Sequence, residues 1–137
     1  MKTKLSFVTN SSTTCFVAFG IQTDMWDLTE EHGDEIFEHY KQWCSKNNST
    51  PGSKDQFFKN NSYSLYEFIH EWVKTVDLEA AIIPGDQVIM IGRSPFKMKV
   101  YQTLIEFKYQ VVRDLMKLGF DISIDGLQQI EEAWENR

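Results

Sequence analysis

Val88-Ile89-Met90-Ile91 is an unbroken apolar run, with Pro84-Gly85-Asp86-Gln87 before it and Gly92 after it. A strand with no polar position has no face to give to water, so it must be covered on both sides of a sheet. Residues 80–83 form a second apolar run on the other side of the proline and glycine. Proline then glycine at the centre of a turn favours a hairpin between the two runs. The first run could instead extend the preceding helix. A chain of 137 residues with 42% hydrophobic and 14% aromatic content can bury such a sheet in one domain and lies far from the disordered class.

Other segments supply the layers. Residues 5–8 and 14–21 are β-branched and aromatic, which is strand chemistry, and Asn10-Ser11-Ser12 between them can bend the chain into a second hairpin. Across residues 28–45, Ile36, Phe37, Tyr40, Trp43 and Cys44 recur at three- and four-residue spacing, the stripe of a helix with Asp27 or Thr29 as its cap. Residues 46–62 read as a polar surface loop, pinned to the body by Phe57 and Phe58. Ser64 and Glu67 form a capping box for a helix whose apolar stripe is Leu65, Phe68, Ile69, Trp72, Val73 and Val76.

Ser94-Pro95 reads as the start of the longest helix, with Val100, Leu104, Phe107, Val111, Leu115 and Leu118 on one face. Tyr101, Ile105, Tyr109 and Val112 widen that face, and Gly119 ends the helix. Phe120, Ile122 and Ile124 alternate as a half-buried strand, and residues 127–135 read as a final acidic helix with Leu127, Ile130 and Trp134 inward. The expectation is α+β: a small, mainly antiparallel or mixed sheet packed by three to four helices, as one domain over residues 1–137.

Charge and cysteine usage bound the partners. The formal net charge of −6 argues against non-specific nucleic-acid binding, which rests on Lys and Arg neutralising phosphates. Cys15 and Cys44 are too few for a disulfide framework and read as thiols of a reducing compartment. The apolar run at Leu5 stops at Thr9, short of a signal peptide, and no stretch is long enough to span a bilayer. A cytoplasmic protein with no membrane association is expected.

Phe7-Val8-Thr9-Asn10-Ser11-Ser12, followed by Thr13, Thr14, Cys15 and Phe16, resembles the opening of a loose set of small bacterial and phage proteins. Their shared opening is Phe-Val-Thr-Asn-Ser-Ser, further serines or threonines, then phenylalanine. The resemblance covers about the first 20 residues and departs from the set where Thr13 to Cys15 replace a longer serine run. It implies a bacterial or phage origin, hence a bacterial or host cytoplasm, and no activity.

No set of residues reads as catalytic. The hydroxyls of residues 9–14 lack a base and an orienting partner. His32, Glu35 and His39 share one side of a helix without the three converging ligands and supporting shell of a metal centre. His70 lacks a second histidine four residues on and reads as a helix-surface residue. Neither metal nor cofactor is expected. Gly92, Arg93 and Ser94, at a strand end before a helix, are the candidate anion site, set against a plain strand-to-helix turn in which Arg93 pairs with a surface carboxylate. Asp24, Asp27, Glu30, Glu31, Asp34, Glu35 and Glu38 occur with no Lys or Arg among them, and Asp121, Asp125, Glu131, Glu132 and Glu135 form a second cluster.

These features favour a non-enzymatic interaction module, of the inhibitor, immunity or phage anti-defence kind. It would dock on a basic protein surface through Trp26, Asp27, Glu30, Glu31, Asp34 and Glu38. The alternatives are a phosphate or small-ligand binder, or an enzyme, using residues 9–14 and 92–94, and a structural or assembly protein.

Overall fold

The computed structural model describes residues 13–60, 62–83 and 88–135. Their order is β1 (Thr13–Asp24), α1 (Met25–Lys46), α2 (Lys54–Asn60), α3 (Ser62–Lys74), β2 (Glu79–Ile83), β3 (Val88–Arg93), α4 (Leu104–Lys117) and β4 (Gln128–Glu135). The four strands form one antiparallel sheet in the order β2-β3-β1-β4. The fold is α+β.

The hairpin read across the proline and glycine is present in register, with Ile82 opposite Ile89 and Ala80 opposite Ile91. Its turn, residues 84–87, lies outside the described residues, as does the first arm of the expected N-terminal hairpin. Because strand side chains alternate, β3 sends Ile89 and Ile91 into the helical layer with Phe19 and Ala80, and Met90 to the other face with Ala18, Ala81 and Ile130. Both faces of β3 are buried, as a run without polar positions requires. The helical layer completes the main core with Leu28, Ile36, Ile69, Trp72, Phe107, Val111 and Leu115.

At the centre of the sheet Gly20 stands opposite Gly92. A Cβ on Gly20 would fall 2.0 Å from the Ile91 carbonyl oxygen, and one on Gly92 would fall 2.3 Å from that of Phe19. The strands approach too closely there for any side chain.

Several elements differ from the sequence reading. α1 starts earlier because Asp24 caps it, its Oδ1 accepting from the Asp27 amide at 2.7 Å, so Asp27 lies within the first turn. The polar loop contains α2, whose Phe57 is buried and stacks on Tyr40 with ring centroids 4.5 Å apart. Phe57 also meets Phe37 and Phe68, so it does pin this segment to the body. Gly33 in α1 is a packing position, since a Cβ there would press on the Phe58 ring at 3.3 Å. α3 begins at Ser62, which puts Ser64 inside the helix instead of at its cap.

Ser94 caps only a single 3₁₀ turn, Pro95–Lys97. α4 begins only at Leu104, capped by Thr103, whose hydroxyl accepts from the Glu106 amide while the Glu106 carboxylate accepts from the Thr103 amide. α1, not α4, is therefore the longest helix. Val100 and Tyr101 precede α4 and are exposed, and Leu104 is half-exposed at its first turn. Gly119, at φ +100°, does supply the left-handed residue that ends α4.

Residues 120–123 alternate in burial but join no strand among the described residues. Phe120 packs on His32 and Trp72 instead. The expected C-terminal helix is β4. Its Ile130 lies opposite Ala18, and eight residue pairs join β4 to β1. Completing a sheet edge outweighed the helical spacing of Leu127, Ile130 and Trp134.

Candidate functional site

The acidic face of α1 is assembled by helix geometry. Trp26, Glu30, Asp34 and Glu38 recur every fourth residue, with Asp27 and Glu31 on the adjoining strip, while Leu28, His32 and Ile36 turn inward. Trp26 is 71% exposed, an unusual setting for so large an apolar side chain. The carboxylates around it are not equivalent. Asp34 is hydrogen-bonded to Lys54 of α2, and that bond, with the lysine's charge, lowers the Asp34 pKa. Glu38 pairs with Lys41 one turn on, at 2.9 Å. Asp27 and Glu30 have no cationic partner among the described residues. The adjacent Asp24 carboxylate raises the Asp27 pKa, and Glu31 and Glu30 push the same way. The uncompensated negative charge thus gathers at the N-terminal end of the face, around Trp26.

The two acidic clusters of the sequence partly converge. Glu31 shares a groove of about 440 Å³ with Asp121, Thr23 and Ser123. Farther along α1, Asp34, Glu35, Glu38 and His39 line a shallower depression against Trp72. Trp43, expected inward, is half-exposed and lines a cleft of about 590 Å³ between α1 and α3 with His39, Lys46, Glu67 and Glu71.

The other candidates occupy structural positions. Arg93 is 5% exposed, and its guanidinium donates to Asp114 Oδ2 at 2.6 Å, the Val76 carbonyl at 2.9 Å and the Asp77 carbonyl at 3.1 Å. It ties α4 to the turn after α3, where Asp77 takes a left-handed φ of +60°. Ser94 Oγ accepts from the Phe96 amide at 3.1 Å, and Gly92 serves the close strand contact described above. Of the polar run 9–14, only Thr13 and Thr14 are described, as the first residues of β1.

His32 is buried between Trp72 and Phe120, whereas Glu35 is exposed and His39 half-buried. Among the described residues no group of three or more His, Cys, Asp or Glu could hold a metal ion. His70 is half-buried beside Tyr66 instead of on the surface. Burial, and secondarily the charge of Lys74, lowers its pKa. Cys44 is a buried thiol, and no described helix is long and apolar enough to cross a membrane.

One surface escaped the sequence reading. The outer side of α4 carries exposed Ile105, Tyr109 and Met116. The sequence read Ile105 and Tyr109 as part of an over-wide core arc. That width, more than one core can absorb, was the available signal. Comparison with protein families, curated proteins and solved structures finds no match to this chain.

Proposed function

We propose that this chain is a small protein-interaction module that docks on a basic protein surface through the outer face of α1. The observation that carries the reading is Trp26, exposed and ringed by Asp27, Glu30 and Glu31. An exposed tryptophan gives an anchor whose burial supplies affinity, and like-signed charge around it speeds encounter with an opposite surface. Lys54 and Lys41 neutralise the C-terminal part of the face, so the docking end is the first two turns of α1. An inhibitor, immunity or anti-defence protein of a bacterium or its phage is the form that size, charge and aromatic content suit. The small-ligand alternative has less support, because Arg93 already has three acceptors.

The test is co-purification of the tagged chain from the organism that encodes it, at low and high salt, beside the variant Trp26→Ala/Glu30→Lys/Glu31→Lys. The wild type should retain a basic protein that salt releases, and the variant should lose it while keeping its circular dichroism. Equal retention of the same proteins by both would overturn the reading.

A further inference from the structure

α4 is apolar on two opposite sides. Phe107, Val111 and Leu115 are fully buried toward the sheet. Ile105, Tyr109 and Met116, each between 51% and 56% exposed, point the other way. Their spacing of four and seven residues keeps them within one narrow stripe, on a side of the helix where polar residues belong. Beside the stripe runs a groove of about 710 Å³, lined by Val112, Ile122 and Ile124 and flanked by Glu106, Tyr109, Arg113 and Met116.

The charges of this groove are ordered about Tyr109. Glu106 lies three residues before it and Arg113 four after it, so one acid and one base stand about 10 Å apart along the helix axis. Glu106 is already held by its capping role, Oε1 accepting from the Thr103 amide at 2.8 Å and from its hydroxyl at 2.9 Å. Its Oε2 makes no hydrogen bond among the described residues. Lys108, by contrast, lies over the Phe19 ring, on the sheet side of the helix.

We propose that the outer face of α4 is the interface of a two-fold dimer of this chain, with the two α4 helices antiparallel and Tyr109 at the axis. Rotation about that axis carries each Glu106 opposite the second copy's Arg113, and each Met116 against the second copy's first helical turn beside Ile105. The surface is therefore self-complementary, as a two-fold interface requires. A uniformly basic or acidic partner would leave Glu106 or Arg113 facing its like. This face lies on a different helix from the acidic face of α1, with Ile122 and Ser123 lining the grooves beside both, and the dimer does not rest on the docking reading of α1. A single helix pair falls at the small end of stable interfaces, so the dimer should dissociate in the micromolar range, roughly 1–100 μM.

Sedimentation velocity of the purified chain from about 1 to 500 μM tests this, beside Arg113→Glu and Tyr109→Asp. Both positions are exposed, so circular dichroism should match the wild type. The wild type should approach twice the monomer mass. Each variant should associate at least tenfold more weakly, because each change acts twice per dimer. A wild type monomeric throughout the range overturns the proposal. So does a dimer whose dissociation constant neither substitution moves.

Discussion

Asp114→Asn isolates the cost of leaving Arg93 without its carboxylate. The pair is buried, with the Arg93 side chain 5% and the Asp114 side chain 12% exposed, and the closest contact is 2.6 Å. Removing one partner of a buried ion pair typically costs about 3–5 kcal/mol, because the remaining charge stays desolvated. Two features reduce that figure here. The Val76 and Asp77 carbonyls still accept from the guanidinium, and the asparagine oxygen can replace part of the lost bond. The second contact of Asp114, with exposed Lys117 at 3.4 Å, adds little. The expected loss is about 2–3 kcal/mol, a large share of the roughly 5–15 kcal/mol that holds a domain together. Urea denaturation should show a lower midpoint at unchanged slope, and melting should fall by about 8–12 °C. Replacing both partners, as Arg93→Met/Asp114→Leu, should restore most of the stability, since apolar residues of similar volume need no pairing. A loss below about 1 kcal/mol for Asp114→Asn, or one that disappears in high salt, would refute the reasoning. It would mean that water reaches the pair.

Trp72→Ala should cost about 3–5 kcal/mol by chemical denaturation, whereas Leu104→Ala should cost under about 1 kcal/mol because that side chain is half in water. A loss at Leu104 as large as the one expected for Trp72 would show that the faces of α4 are misassigned. His70, whose folded pKa is lowered by burial, should make stability depend on pH. Its unfolded pKa is about 6.5, so below that pH the unfolded chain binds the proton more readily. The contribution is complete above pH 6.5 or so and declines as pH falls toward the folded value. The urea midpoint should drop between about pH 7.5 and 5.5, and His70→Gln should flatten that slope. An identical slope in the variant would remove His70 from the account.

The sequence reading succeeded where one period dominated. Val88 to Ile91 has no polar position and could only be a covered strand, and Leu65 to Val73 repeats cleanly enough to be an α3 that packs one face. It failed where two signals competed. Ser94-Pro95 suits a 3₁₀ turn as well as a long helix, and the stronger signal, Thr103 with Glu106, lay nine residues later. Leu127, Ile130 and Trp134 fit helical spacing, but β1 offered an open edge that no local pattern in residues 127–135 reveals. The acidic face of α1 was legible residue by residue from its spacing. Its partial neutralisation was not, because Lys54 reaches Asp34 from another helix. A carboxylate partner for Arg93 was legible as the plain-turn alternative, but not that it would be buried Asp114, 21 residues away, instead of a surface acid.

The facing glycines at the middle of the sheet act as a key for strand alignment. Shifting β3 along β1 by two residues would preserve which side chains face the helices, so the hydrophobic pattern alone tolerates that error. It would also set Gly20 opposite Met90 or Ser94, and Gly92 opposite Ala18 or Gln22. Each glycine would then meet a residue carrying a Cβ, where the native approach leaves room for none. Only one alignment lets the two bare backbones meet, so the central pair of strands closes fully in that alignment alone. Because β2 and β4 pair with β3 and β1 respectively, the alignment chosen there is inherited by the whole sheet.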